Sequence, residues 1–141
     1  MITYHVEEIK MPDFPKRKTS QWIKSVTEKY SKRVGDISII FCNDEKILEI
    51  NKEYLNHNYY TDIITFDYSE KNVISGDIFI SVDTVKTNAE KFKDTFYKEL
   101  YRVIIHGILH LTGIDDKGNG ARAIMEKNEN EALAMLGKII T

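Results

Sequence analysis

Apolar residues along this chain alternate with polar ones in some segments and recur every three or four positions in others. Four segments rich in β-branched and aromatic residues predict strands at 2–6, 37–42, 61–68 and 77–82. Between them, apolar residues at helical spacing predict helices that each bury one face. Because strands and helices are intermixed rather than strictly alternating, the pattern indicates an α+β domain with one mixed sheet of about four strands.

Polar residues that can cap a helix mark where the helices begin. Either Thr19 or Ser20 can cap the first helix, Asn43 the second and Asp83 the third. We predict a fourth helix from Thr95 to about residue 112, and a fifth after a loop that contains two glycines. The fourth is apolar nearly all round, so it should be the central buried helix. We expect the helices to cover one face of the sheet, and the third and fourth strands to pair antiparallel.

Composition and charge narrow the class of protein. A net charge of −2 and a pI of about 6.1 do not indicate a nucleic-acid-binding protein, which would more often be strongly basic. No apolar run approaches the roughly 20 residues of a membrane span, and the first residues lack the features of a signal peptide. The one cysteine, Cys42, follows an apolar strand, so we expect a buried thiol and a cytoplasmic protein. The length of 141 residues predicts one domain covering residues 1–141.

Two histidines, His106 and His110, lie four residues apart in the predicted fourth helix. The segment from His106 to Asp116 reads H-G-I-L-H-L-T-G-I-D-D. Residues four apart leave the same face of a helix, with Cβ atoms roughly 5–6 Å apart, so both imidazoles can reach one metal ion. Gly113 suits the left-handed conformation that ends a helix, and the turn there would let a carboxylate close the site. Two histidines and a carboxylate leave one coordination position open, as in catalytic zinc sites.

The alternative is that both histidines are ordinary helix residues, which would be favoured for a lone histidine. Here the flanking residues are nearly all apolar, and burying an unpaired polar group costs about 1–3 kcal/mol. We therefore expect His106 and His110 to bind a metal ion. The choice of carboxylate stays open, because Asp115 and Asp116 are adjacent.

Three positions before or between the histidines bear on the chemistry. Gly107 stands where a metalloprotease of the H-E-x-x-H type carries its general-base glutamate, which weighs against that mechanism. Glu99, two turns before His106, could hydrogen-bond a ligand imidazole or be a solvated acid near the helix N-terminus. Arg102 lies on the same stripe and could hold a phosphate, although a surface arginine is the default.

Several segments together resemble a known family. Residues 106–116 resemble the H-G-x-L-H-L-x-G-Y-D-H signature of the YbeY-type family of endoribonucleases, which are rRNA maturation factors. Residues 61–66, T-D-I-I-T-F, are similar to that family's T-D-V-L-S-F, and residues 76–80, G-D-I-F-I, to its G-D-I-x-I. Ile50-Asn51 followed by Tyr54 matches its L-N-x-x-Y. The order and spacing hold over roughly residues 36 to 130, and the long signature is the specific part.

The resemblance implies a zinc-dependent endoribonuclease with a central metal helix like that of zincins. It would cut single-stranded RNA, mature the 3′ end of the small-subunit rRNA and act in ribosome quality control. It implies one Zn²⁺ per chain, with His106, His110 and Asp116 as ligands. The implied partners are ribosomal RNA, the small ribosomal subunit and an assembly GTPase, with no membrane. No catalytic side chain is assigned, and Glu99 and Arg102 are the candidates.

Two positions depart from the family pattern. The family's third ligand is usually histidine, whereas this chain has Asp116, whose negative charge should make the ion a weaker Lewis acid and favour harder metals somewhat. The family usually has an arginine that contacts RNA phosphate after the tyrosine of L-N-x-x-Y. Here that position is Leu55, which cannot donate to phosphate. Arg102 or a lysine is a candidate replacement, and so is His57, for which an ordinary loop residue is the simpler interpretation.

Two main hypotheses follow from these observations. The leading one is a metal-dependent endoribonuclease in rRNA maturation, which the open coordination position favours. The second is a non-catalytic, zinc-containing ribosome-assembly factor that uses the same cleft to bind RNA or protein, which Leu55 favours. A metalloprotease is a distant third, because of Gly107.

Overall fold

Four strands form one mixed sheet in the computed structural model, which describes residues 1–56, 61–115 and 118–140. The strands are β1 (Ile2–Val6), β2 (Arg33–Cys42), β3 (Ile63–Asp67) and β4 (Val73–Ser81), in the order β1-β2-β4-β3. β2 runs parallel to both β1 and β4, and β3 runs antiparallel to β4. The predicted α+β class, the mixed sheet of four strands and the antiparallel pair are therefore confirmed.

Helices fill the connections from β1 to β2 and from β2 to β3, and they form the C-terminal part of the described chain. Their bounds are α1 (Lys16–Lys29), α2 (Asp44–Tyr54), α3 (Val82–Lys91), α4 (Phe96–Leu111) and α5 (Ala121–Ile140). Within the described ranges, none of these helices combines the length and the apolar character that crossing a membrane would need.

The sheet packs against helices on both faces. The main core contains Ile39 of β2 and Ile78 of β4 and lies beneath α1, α4 and α5. A smaller cluster on the other face brings Cys42 and Ile64 against Ile47 of α2. The prediction that helices cover one face only was wrong, because the amphipathic α2 buries its own apolar stripe against the second face.

The predicted cap at Asn43 and the predicted start of α4 at Thr95 are confirmed. The side chain of Asn43 accepts a hydrogen bond from the backbone N–H of Lys46 at 2.9 Å, and that of Thr95 accepts one from Lys98 at 3.1 Å. Each satisfies one backbone donor that has no partner inside the helix. α2 and α4 therefore begin where the sequence pattern predicts.

The other two predicted caps were wrong. α1 begins after Pro15, a turn before Thr19, and the Thr19 hydroxyl donates to the Pro15 carbonyl at 2.8 Å. The first turn of α1 is basic and has little apolar periodicity, so the sequence pattern did not indicate that the helix begins there. α3 is capped by Ser81, with Asp83 inside its first turn. Ser81 is also the last residue of β4, so the strand passes directly into the helix.

The single cysteine is buried, as predicted. Cys42 is 0 % exposed, and its thiol donates to the carbonyl of Ile80 at 3.6 Å. Burial raises the pKa of the Cys42 thiol to about 12. The side chain therefore acts as a small apolar group in the cluster beneath α2.

α4 is the central helix of the fold. Ten of its 16 residues are buried, which confirms the position predicted for it. It lies close to the sheet at Gly107, where a Cβ atom would lie 2.8 Å from Ile63 Cδ1 and 3.2 Å from two side-chain carbons of Ile78. A larger residue at position 107 would push the helix away from β3 and β4, so the absence of the protease glutamate has a packing reason.

Candidate metal centre

The two histidines of α4 face each other across one helical turn. Their Nε2 atoms are 3.1 Å apart, and the ring centroids are separated by 4.6 Å with an interplanar angle of 79°. Both side chains are half-buried. Convergence of two imidazole nitrogens on one point is the donor arrangement that zinc sites use, and it is what the four-residue spacing predicts.

A carboxylate from another helix orients one of these rings. Oε2 of Glu129, on α5, lies 2.6 Å from Nδ1 of His106, and the Glu129 side chain is 10 % exposed. When the carboxylate accepts the Nδ1–H, the lone pair of this ring is on Nε2, the atom that faces His110 and can bind a metal ion. From the sequence, Glu99 was a candidate for this hydrogen bond to a ligand imidazole. In the structure Glu129 forms it.

Sequence reasoning missed Glu129, although one signal was present. Glu129 lies four residues after Met125 and three before Ala132, and both of these residues are buried. A glutamate on the buried stripe of an amphipathic helix requires a polar partner, because burying an unpaired charge is costly. From the sequence one could therefore have predicted that Glu129 has a polar partner. The sequence does not indicate which residue that partner is.

The carboxylate of Glu129 also binds Arg102, the residue that the sequence suggested could contact an RNA phosphate. One guanidinium nitrogen of Arg102 lies 2.9 Å from Oε1 of Glu129, and the other donates to Oδ1 of Asn130 at 2.9 Å. Arg102 is on the same stripe as His106, as predicted, but its charge is balanced by Glu129. A phosphate contact by Arg102 stays a prediction.

A cleft of about 650 Å³ opens beside His106. It lies between the start of β3 and the helices α4 and α5, and Asp62, immediately before β3, lines its edge. Carboxylates outnumber cations on its walls, and the charged residues there are Asp62, Asp94, Glu99, Arg102, Arg122, Glu126 and Glu129. Phe92 also lines it, with a ring that is 62 % exposed rather than packed in the core as its helical spacing suggests.

Two carboxyl groups in the cleft are buried enough to resist ionisation. Burial raises the pKa of Glu99, and the nearby charge of Asp62 raises it further. Burial likewise raises the pKa of Asp62, although the charge of His106 opposes this shift. Glu99 is 7 % exposed, so the alternative of a solvated acid is wrong.

The helix ends where the sequence predicts that the chain turns. Gly113 has a φ of +105°, and its N–H donates to the carbonyl of His110 at 3.0 Å. The N–H of Ile114 donates to the carbonyl of Leu109 at 3.1 Å, which completes a Schellman motif. This turn directs the chain away from the helix axis immediately before the two candidate aspartates.

The third ligand stays a prediction. Asp116 and His57 lie outside the described residues, and Asp115 is exposed. Across 1–56, 61–115 and 118–140, no group of three His, Cys, Asp or Glu residues could hold a metal ion. Leu55, at the position of the family arginine, follows the last residue of α2 and is 40 % exposed.

Comparison with known proteins identifies relatives over nearly the whole chain. A family model described as endoribonuclease YbeY matches residues 2–137. A protein from Bacteroides fragilis named endoribonuclease YbeY is 64 % identical over 134 residues, which are 95 % of this chain and 96 % of that protein. One of the same name from Porphyromonas gingivalis is 48 % identical over 139 residues, covering 99 % of this chain and 92 % of the relative.

The fold comparison agrees with the sequence comparison. The solution structure of a Thermotoga maritima protein matches with a TM-score of 0.64 and 27 % identity, over 95 % of this chain and 90 % of the other. The family resemblance noted in the sequence is thus confirmed by a match far longer than the histidine signature. Since the family model extends over residues 2–137, this chain belongs to the endoribonuclease YbeY family.

Proposed function

We propose that this protein is a metal-dependent endoribonuclease that cuts single-stranded RNA, with residues 1–141 forming one catalytic domain. The observation that carries the proposal is the convergence of the His106 and His110 Nε2 atoms, 3.1 Å apart, beside an open cleft. Membership in the endoribonuclease YbeY family supports the same reaction.

Zinc fits the donor chemistry of this centre. His106 and His110 would hold the ion through Nε2, with Asp116 as the third ligand, and one ion would bind per chain. Glu129 supports this assignment, because its contact with Nδ1 of His106 leaves that ring with the tautomer that zinc requires. When bound, zinc would supply a Lewis acid to the scissile phosphodiester.

The chain's own side chains would orient the substrate and move the proton. Glu99 is the candidate acid, since burial and the charge of Asp62 raise its pKa and so favour the protonated form more than in an exposed glutamate. Arg102 and Glu129 would act through His106 by fixing its ring. The exposed ring of Phe92 offers a stacking surface for one unpaired base, which favours single-stranded over duplex RNA.

The biological role that we propose is ribosomal RNA processing. It includes maturation of the 3′ end of the small-subunit rRNA and ribosome quality control in the cytoplasm. The partners would be the small ribosomal subunit and an assembly GTPase. Family membership is what supports these assignments.

A second candidate is a non-catalytic ribosome-assembly factor in which the zinc ion is structural. Two observations favour it. The side chain of Leu55 cannot donate a hydrogen bond to phosphate. The guanidinium group of Arg102 is already bound by Glu129 and Asn130. The two candidates differ in whether the zinc-loaded protein cuts RNA.

The deciding experiment is an RNA cleavage assay on protein purified without a histidine tag and loaded with zinc. We expect the wild type to cut labelled single-stranded RNA, and chelation to abolish the activity. His110→Ala should lose activity, whereas His5→Ala should keep it, because His5 is exposed on β1 and contacts Thr3. Zinc-loaded wild type that cuts no RNA would favour the assembly factor, and full activity in His110→Ala would refute the proposed centre.

A further inference from the structure

A second groove lies at the opposite end of β4 from the cleft beside His106. It has a volume of about 850 Å³ and is formed where β2 and β4 begin, next to the hairpin turn that joins β3 to β4. The cleft described above meets the other end of the same strand pair, because Ile63, which lines the cleft, pairs with Ile80. The two features are therefore separate surfaces of one sheet.

Three cations line this groove, namely Lys32, Arg33 and Lys71. Lys32 Nζ donates to the backbone carbonyl of Lys71 at 3.4 Å, which holds two of the three residues together. In the part of the chain that the structure describes, none of the three forms an ion pair with a carboxylate. Their charge is therefore available to an anion from outside the molecule.

The remaining lining residues suit a nucleic acid strand rather than a small anion. Tyr68 is 59 % exposed, and its hydroxyl donates to Asp77 at 3.3 Å, which fixes the ring at the groove. An exposed aromatic ring beside cations is how single-stranded nucleic acids are bound, with the base stacked and the phosphates neutralised. One carboxylate, Glu70, lies among the cations and opposes an anionic ligand.

The charge of the cleft beside His106 is unfavourable to RNA phosphates, which favours a separate cationic surface for the RNA. The cleft carries five carboxylates and two arginines, and one of these arginines, Arg102, is bound by Glu129. An RNA strand receives little attraction to its phosphates there. The phosphate backbone nevertheless supplies most of the affinity of a protein for RNA of arbitrary sequence.

We propose that the groove of Lys32, Arg33, Lys71 and Tyr68 binds the phosphodiester backbone of the single-stranded RNA substrate at a distance from the cleavage site. The proposal rests on the proposed function, because it assigns a second contact to the same substrate. β4 has 9 residues, so its two ends are about 26 Å apart at ~3.3 Å per residue. At ~3.4 Å per stacked nucleotide, a strand of about eight nucleotides spans that distance.

The length of the RNA therefore tests the proposal. Binding is measured with labelled single-stranded RNAs of about 6 and about 16 nucleotides, in chelator to prevent cleavage, across a series of salt concentrations. The test variant is Arg33→Ala combined with Lys71→Ala. The matched control is Lys10→Ala combined with Lys24→Ala, which removes the same charge from exposed positions that do not line the groove.

The expected result is a loss confined to the long RNA. The groove variant should bind the 16-nucleotide RNA roughly tenfold more weakly at low salt, with the slope of log affinity against log salt reduced by about 1.4, or ~0.7 per phosphate contact. Its KM for cleavage of the 6-nucleotide RNA, which is cut only when it lies in the cleft, should match that of the control. Glu70→Gln should strengthen binding of the long RNA, because it removes the opposing carboxylate.

Two outcomes would overturn the proposal. One is equal salt slopes for the groove and control variants on the long RNA. The other is a KM for cleavage of the 6-nucleotide RNA that rises as much as the affinity for the long RNA falls, which would place the contact within the cleft. Cleavage of the short RNA by zinc-loaded groove variant is measured in parallel. Its absence in variant and wild type alike would count against the proposed function, whereas the salt slopes judge the groove alone.

Discussion

Glu129 joins two groups of the candidate metal centre through a single side chain. One of its oxygens contacts Nδ1 of His106, and the other contacts the guanidinium group of Arg102. A carboxylate at the outer nitrogen of a ligand histidine fixes the ring and increases the basicity of the inner nitrogen. Arg102 in turn restrains the carboxylate, so the orientation of His106 depends on a residue from α5.

We predict that Glu129→Gln weakens zinc binding roughly 10- to 100-fold, because the amide is a poorer acceptor for the Nδ1–H of His106. Competition against a chromogenic zinc chelator measures this affinity. Glu131→Gln on the same helix is the control, since Glu131 forms an exposed ion pair with Lys29. Equal zinc affinity in Glu129→Gln and wild type would show that the carboxylate has no role in the metal centre.

Glu99 should make the stability of the metal-free protein depend on pH. Burial raises its pKa in the folded state, so ionisation opposes folding. Its contribution to stability is largest below the pKa of an unfolded glutamate and is lost as the pH rises through the folded-state pKa. Glu99→Gln should therefore raise Tm at about pH 8 and leave it nearly unchanged at about pH 4.

Thermal melts in chelator across this pH range measure the effect. Glu126→Gln, at an exposed position in the same cleft, is the control and should show little difference at either pH. A Glu99→Gln variant that melts below the wild type at alkaline pH would mean that the ionised carboxylate stabilises the fold.

At the scale of elements, α4 connects the sheet to the metal centre. It lies on β3 and β4 through Gly107, and it presents His106 and His110 on the side toward the cleft and α5. The close contact at Gly107 sets the distance between helix and sheet. The depth at which the histidines lie in the cleft therefore depends on a residue that carries no side chain.

We predict that Gly107→Ala destabilises the fold by about 1–2 kcal/mol. The added methyl group would meet Ile63 Cδ1 at 2.8 Å and the fully buried Ile78 at 3.2 Å, and this overpacking exceeds the gain in helix propensity. Chemical denaturation measures the free energy of unfolding. Gly137→Ala on α5 is the matched control, because nothing lies within 4 Å of its added Cβ, and it should stabilise the helix. Equal changes in the free energy of unfolding for the two substitutions would mean that α4 can move away from the sheet without destabilising the fold.

Local patterns predicted the elements better than the contacts between them. The histidine pair, the turn at Gly113 and the cap at Asn43 depend on residues within one helical turn, so the sequence contains them directly. The start of α1 was missed because its first turn is basic. The cap of α3 was missed because Ser81 also ends a strand. The contact of Glu129 with His106 joins residues 23 positions apart, and only the packing of α5 on α4 brings them together.

At the scale of the whole molecule, the cleft and the groove carry opposite charge at the two ends of β4. The cleft at one end of β4 is rich in carboxylates, and the groove at the other end is rich in cations. The net charge of −2 conceals this division. An extended anionic strand would be attracted first to the basic end, and a bound cation would make the acidic end more favourable to it.

We predict that zinc raises the Tm of the whole protein, since a ligand present at 100 times its Kd stabilises the folded state by about 2.7 kcal/mol. Asp116→Ala should lose bound zinc and this rise in Tm, whereas Asp115→Ala should keep both. Asp116→His should retain the ion and its RNA cleavage, because an imidazole also completes a three-ligand site. Elemental analysis and thermal melts with and without zinc measure these effects. Loss of zinc in Asp115→Ala alone would mean that the neighbouring aspartate is the ligand.

The burial of Cys42 has a practical consequence for observing how this molecule opens. It is the one cysteine of the chain, it is 0 % exposed, and burial raises its pKa to about 12. At pH 8 the thiol is almost wholly un-ionised in the folded state, whereas an unfolded thiol, with a pKa of about 8.5, is partly ionised. Alkylation of the native protein should therefore proceed through the small population of molecules in which the contact between α2 and the sheet is broken, at a rate proportional to that population. The labelling rate of an unmodified sample then gives the free energy of that opening, with no dye or engineered probe required.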